Sequence, residues 1–89
     1  MRYTWNEEKN EELKKHRGVS FDEIVEVINI DTILDVKQHP NKQKYPKQFL
    51  MYVKFRGYVY VIPHVYENKS TIFLKTIFKS RKAKKEFGI

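Results

Sequence analysis

Apolar residues recur along this chain with two different periods, and the change of period divides it. From Trp5 to Ile28 the spacing is helical. Trp5-Asn6-Glu7-Glu8 opens a first helix in which Asn6 is placed to cap, and Glu7, Glu8, Glu11 and Glu12 stand near the positive end of the helix dipole. Lys14, Lys15, His16 and Arg17 crowd the negative end, His16 as a dipole or capping residue, and Gly18 stops the helix. Only Trp5 and Leu13 anchor it. Ser20-Phe21-Asp22-Glu23 has the capping-box pattern, and Phe21, Ile24, Val25 and Ile28 follow at i, i+3, i+4 and i+7. That stripe predicts a second helix packed on a sheet.

From Ile33 the pattern alternates, and β-branched and aromatic residues take over. Strands are predicted near 33–39, 48–55, 58–66 and 71–78. Arg56-Gly57 is a two-residue hairpin turn, Glu67-Asn68-Lys69 is a second turn, and His39 to Lys47 is the one long loop. Ser80 is placed to cap a short basic helix from Arg81 to Phe87. The expected fold is an α+β domain over residues 1–89, with two N-terminal helices packed on one side of a four-stranded antiparallel meander sheet and a short C-terminal helix.

Strand alternation assigns faces. Phe49, Met51, Val53 and Phe55 share one, opposite Leu50, Tyr52 and Lys54. Val59, Val61 and Val65 are expected inward, leaving Tyr58, Tyr60, Ile62 and His64 on an outer face with tyrosines between cations. Both phases fit the last strand, so the facing of Lys75 and Lys79 is open. Pro63 cannot donate to a ladder and marks a bulge or an edge that re-aims His64.

Charge changes this picture by its placement. Residues 1–47 hold nine Lys or Arg and nine Asp or Glu, whereas residues 48–89 hold nine Lys or Arg and only Glu67 and Glu86, so the second half carries the whole net +7. One-sided basicity is the footprint of a polyanion binder. Unstacked bases lie well on tyrosine rings while lysines neutralise phosphates, which points to RNA. There is no cysteine, so disulfides, thiolate metal sites and a cysteine nucleophile are excluded. The polar start of the chain is unlike a secretion signal, and no apolar run approaches the roughly 20 residues a bilayer requires. A cytoplasmic location is expected, with no membrane partner.

No Gly-rich phosphate loop, nucleophile elbow or paired-carboxylate motif occurs. The three histidines, His16, His39 and His64, are far apart in the sequence, and neither a metal site nor a cofactor is expected. The candidate chemistry is cationic. RNA carries its own nucleophile in the 2′-hydroxyl, and the difficulty in cutting it is stabilising extra negative charge on phosphorus.

Three segments resemble a known family. Tyr3-Thr4-Trp5-Asn6-Glu7-Glu8-Lys9-Asn10, Lys15-His16-Arg17-Gly18-Val19-Ser20-Phe21-Asp22-Glu23 and Lys79-Ser80-Arg81-Lys82-Ala83 are similar to the BrnT-like toxins of bacterial toxin–antitoxin pairs. The resemblance implies a RelE-like fold and a metal-independent endoribonuclease neutralised by a ribbon-helix-helix antitoxin. The family has an arginine at the end of its third strand where this chain reads Tyr60-Val61-Ile62-Pro63-His64. It closes on R-I-I-S-A-R where this chain reads Thr76-Ile77-Phe78-Lys79-Ser80-Arg81, so only Arg81 carries over from that segment.

The sequence therefore predicts a ribonuclease with Arg81 and Lys75 as transition-state cations and His39 or His64 as proton carrier. Lys79, Lys82, Lys85 and Lys44 are expected to bind RNA, with Tyr45 and Tyr60 as stacking or hydroxyl partners. The alternatives are a non-catalytic RNA-binding module and a basic domain that binds an acidic protein partner.

Overall fold

The computed structural model describes residues 1–89. Helix α1 spans Glu7–Arg17, with the Asn6 side chain accepting from the Lys9 amide at 3.0 Å and Gly18 closing the far end in the left-handed region at φ 65°. Helix α2 spans Phe21–Val27; the Glu23 amide donates to Ser20 Oγ at 3.1 Å, and the hydroxyl donates in turn to the Glu23 carboxylate at 3.2 Å. The predicted stripe faces the core: Phe21 and Ile24 are fully buried, and Val25 and Ile28 pack half-buried against them.

The sheet has six strands: β1 (Arg2–Thr4), β2 (Ile33–Gln38), β3 (Phe49–Phe55), β4 (Tyr58–Asn68), β5 (Thr71–Leu74) and β6 (Phe78–Lys79). Their order is β1-β5-β4-β3-β2, with β6 also paired to β4. All pairs are antiparallel except β1 with β5. The architecture is thus α+β, but its sheet is mixed and larger than the four-stranded meander expected. The extra strand, β1, is only three residues long and shows no period of its own. The β3–β4 hairpin turns through Arg56 and Gly57 at φ 52° and 76°, the double positive φ that a tight primed turn requires.

The expected last strand is split. From His64 to Tyr60 is four positions along β4, while their partners Leu74 and Lys79 lie five apart, so the segment Lys75–Ile77 holds one extra residue. This bulge resolves the facing left open by the sequence: Ile72 and Leu74 point into the core, and after the bulge Ile77 does. It also accounts for Pro63 in a central strand. The Pro63 carbonyl accepts from the Lys75 amide at 2.8 Å, so the missing Pro63 donor faces the same bulged segment, where the ladder is already interrupted.

Both faces of β4 are covered, and Val59 to His64 are all buried. The α1/α2 side holds Leu13, Val19, Phe21, Ile24, Met51, Val53, Tyr60, Ile62, Ile72, Leu74 and Ile77. On the other side α3 (Arg81–Glu86), capped by Ser80 through the Ala83 amide at 3.0 Å, lies over Val59 and Val61, with Ala83 buried and Phe87 against Tyr52 at 5.6 Å. Helices therefore flank the sheet on both sides, not one. The assignment of β4 faces is corrected accordingly. Cross-strand partners share a face, and Val53 pairs with Tyr60, Met51 with Ile62 and Phe49 with His64. Tyr60, Ile62 and His64 point toward α1 and α2, and Val59 and Val61 point toward α3.

Candidate nucleic-acid interface

The C-terminal turn of α1 and strand β6 approach each other over Tyr60, leaving a groove of about 420 Å³ lined by His16, Arg17, Val19, Tyr60, Phe78 and Lys79. Three local features build it. Gly18 turns the chain sharply after α1, so His16 and Arg17 stay on the rim while Val19 and Ser20 turn inward. The bulge at Lys75–Ile77 sets Lys79 opposite Tyr60. Arg17 pins the two walls together, donating to the Ile77 carbonyl at 2.6 Å, with Thr76 Oγ1 at 3.5 Å. Arg56 secures the same corner by donating to the Gly18 carbonyl at 3.2 Å and pairing with Glu23.

The groove contains no carboxylate. His16, Arg17 and Lys79 are exposed around a tyrosine ring that is almost wholly covered. Beyond it the positive surface continues. The Lys79 and Lys84 ammonium groups stand 4.3 and 4.7 Å from the Tyr58 ring centroid, and that ring is exposed. None of Lys75, Lys79, Arg81, Lys82, Lys84 and Lys85 forms a salt bridge, whereas Lys9, Lys14, Lys37 and Arg56 do. Cations whose counter-ion is not supplied by the protein are the ones free to meet phosphates.

The four residues expected to be catalytic are not brought together. Arg81 is exposed at the start of α3 and lines neither this groove nor the neighbouring concavity under α3. Lys75 is exposed at the bulge with its ammonium 5.8 Å from the Phe73 ring. His64 is fully buried; its Nδ1 donates to the Ile62 carbonyl at 2.9 Å, its Nε2 has no partner, and burial pushes its pKa below the ordinary 6.5. An imidazole sealed in this way has no route to a substrate.

His39 belongs to a separate knot. Its ring packs tilted against Tyr45 at 4.5 Å, its Nδ1 accepts from the Asn41 amide at 3.0 Å, and Lys44 lies 5.4 Å from the Tyr45 ring. His39 follows Gln38, which is level with Phe49 and hence with His64, four residues along β4 from Tyr60. At about 3.3 Å per residue, that is roughly 13 Å along the sheet, with two strand spacings besides. His39, Lys44 and Tyr45 therefore lie away from the groove.

Of the expected RNA-binding residues, Tyr60 and Lys79 line the groove, Lys82 lines the concavity under α3, and Lys85 is exposed on the same helix. The sequence reading placed Arg17 only among the cations at the end of α1 and gave His16 a dipole or capping role. The available signal was the Lys14-Lys15-His16-Arg17 run, where four cationic or ionisable side chains exceed what one helix end needs. Lys37 and Glu86, joined at 2.8 Å between β2 and α3, were missed too.

No three His, Asp or Glu side chains converge as a metal-holding group, and no helix is long and apolar enough to cross a membrane. Residues of the first two segments of the family resemblance serve packing. Trp5 stacks on Phe21 at 5.7 Å, and Asn10 Oδ1 accepts from the Phe21 amide at 2.8 Å, so the W-N-x-x-K-N and S-F residues join α1 to α2. No protein-family model, curated protein or solved structure matches the chain, and the chemistry of the groove rests on its own residues.

Proposed function

We propose that the protein is an endoribonuclease of the toxin type that binds RNA across its unpaired cations and cuts it in the His16–Arg17–Lys79 groove. The observation that carries this reading is the meeting of an exposed histidine, a guanidinium and an ammonium in a groove without a carboxylate. Arg17, already oriented by the Ile77 carbonyl, retains donors for a phosphate oxygen, and Lys79 adds a second positive charge. In the reaction the substrate's 2′-hydroxyl attacks phosphorus, the P–O5′ bond breaks, and His16 relays the proton between the two oxygens. The products are a 2′,3′-cyclic phosphate and a 5′-hydroxyl. Preorganised cations act where charge develops on the phosphorane, which is why they serve the transition state more than the ground state.

The toxin role, and with it a ribbon-helix-helix antitoxin as partner, is supported by the similarity of the α1–α2 segments to the BrnT-like toxins. One observation favours a non-catalytic RNA-binding module instead. The groove holds a single histidine, while transesterification needs one proton removed and another delivered. Incubating the protein with unstructured RNA and mapping the product ends separates the two. Cyclic-phosphate ends that persist in chelator, and disappear when the cut-site ribose is 2′-deoxy, are the expected result. RNA bound but left intact selects the non-catalytic module.

A further inference from the structure

Phe78 belongs to two concavities at once. On one side it borders the groove of His16, Arg17 and Lys79; on the other it borders a cavity of about 250 Å³ beneath α3, whose floor is Leu50, Tyr52 and Val61 and whose rim is Lys37, Ser80, Lys82 and Glu86. Phe78 is 39% exposed, and it lies between a cationic hollow and an apolar one. A nucleotide has the same division: an anionic phosphate, and a flat base one sugar away.

The rim has a defined hydrogen-bonding pattern. Lys37 Nζ donates to Glu86 Oε1 at 2.8 Å, while Oε2 accepts no hydrogen bond within the chain and Lys37 keeps two further protons to donate. The pair is held in place, since the Lys37 ammonium lies 5.2 Å from the Tyr52 ring and 5.7 Å from that of Phe87, and those two rings are in contact. Ser80 Oγ accepts from the Ala83 amide, which leaves its proton free to donate.

We propose that the cavity under α3 is a base-binding subsite that takes guanine from an unstacked RNA strand whose phosphate occupies the neighbouring groove. Guanine alone presents two adjacent N–H donors, N1 and N2, beside a carbonyl acceptor, O6. A carboxylate next to an ammonium is complementary to that edge, with Glu86 accepting from N1 and N2 and Lys37 donating to O6. Uracil offers one N–H between two carbonyls. Cytosine would turn acceptors N3 and O2 toward the carboxylate, and adenine would turn N1. The apolar floor and the Phe78 ring supply the stacking surface.

This inference rests on the RNA-binding reading above, and its test keeps the two apart. Fluorescence anisotropy is measured with labelled adenosine decamers that carry one central guanosine, cytidine or uridine, and with the all-adenosine decamer, all four 2′-O-methylated at every position so that the strands stay intact. The guanosine strand should bind about tenfold more tightly than the others, the discrimination a bidentate base contact gives. Glu86→Gln replaces one acceptor by a donor and should bring the guanosine strand to within about twofold of the adenosine strand. Lys37→Met, changed on the other element, should compress the same difference. Arg17→Ala should weaken all four strands together and preserve their ranking. Equal affinities for the four decamers, or a guanosine preference that survives Glu86→Gln and Lys37→Met, overturns the subsite while the RNA-binding reading stands. Failure to bind any of the four overturns both.

Discussion

Asn10 joins the two N-terminal helices from inside the core: its Oδ1 accepts from the Phe21 amide and its Nδ2 donates to the Asp22 carboxylate, both at 2.8 Å. The Phe21 amide opens α2 and cannot find an intrahelical acceptor, so Asn10 supplies one in a place water does not reach. Asn10→Ala leaves that donor buried and unpaired and should cost about 1 to 3 kcal/mol. Urea unfolding checks it: the midpoint should fall at constant slope, and an unshifted midpoint would show that water replaces the carboxamide.

The apolar stripe of α2 gives a larger effect. Ile24 is fully buried among residues of both helices and the sheet. Ile24→Ala should cost about 2 to 4 kcal/mol through lost burial and the cavity left behind, a large share of the stability of a domain this small. Thermal melting reads it directly. A wild-type melting temperature would mean that α2 is not packed on the sheet in solution.

These two sites also show why some of the fold could be read from the sequence and some could not. The helices were legible because they carry local signals: Asn6 and Ser20 cap, Gly18 stops, and Phe21, Ile24, Val25 and Ile28 keep one period. The β3–β4 turn was legible through Gly57. The facing of β4 was not, because alternation identifies a face only when the other face is wet, and β4 is covered on both sides. Tyr60 and His64 looked like surface residues for that reason. The groove was hidden by topology: a one-residue bulge sets Lys79 against Tyr60, and Arg17 meets Ile77 across sixty residues of sequence. Tyr60, Lys79 and the surplus of cations in the second half were visible beforehand, but their meeting with His16 and Arg17 was not.

His64 makes stability depend on pH with a definite sign. Burial pushes its folded pKa below 6.5, partly opposed by the bond to the Ile62 carbonyl, whereas an unfolded histidine titrates near 6.5. As pH falls through 6.5 the unfolded chain takes up a proton that the folded chain refuses, so this stability is present above that value and lost below it. One proton sets a limiting slope of about 1.4 kcal/mol per pH unit. Denaturant midpoints measured between pH 8 and 5 should decline on the acid side, and His64→Phe should flatten the decline. A decline unchanged in His64→Phe would assign it to carboxylates instead.

Salt dependence tests the electrostatic part of RNA binding separately from any base contact. If roughly four to six phosphates meet the unpaired cations of Lys75 to Lys85, log affinity for a single strand should fall against log salt with a slope of about −3 to −4. Lys82→Ala and Lys85→Ala should each reduce the slope by about 0.7. An affinity indifferent to salt would remove the polyanion reading and direct attention to an acidic protein partner.

Cleavage itself separates the groove from the residues the sequence nominated. If His16 moves the proton, His16→Ala should retain most RNA affinity and lose roughly 10²- to 10⁴-fold in rate, the usual contribution of general acid–base catalysis. Arg17→Lys keeps a charge and a donor for the Ile77 carbonyl but loses the planar fork. Its rate should therefore fall by roughly 10²-fold while the fold is preserved. His39→Ala acts on a loop about 13 Å or more from Tyr60 and should leave the cleavage rate within about threefold of wild type. Single-turnover rates with a radiolabelled strand, alongside anisotropy for binding, separate chemistry from affinity. Were His39→Ala to abolish cleavage while His16→Ala did not, the reacting phosphate would have to lie at the other end of the sheet, beside Tyr45 and Lys44, and the groove over Tyr60 would hold only the flanking strand.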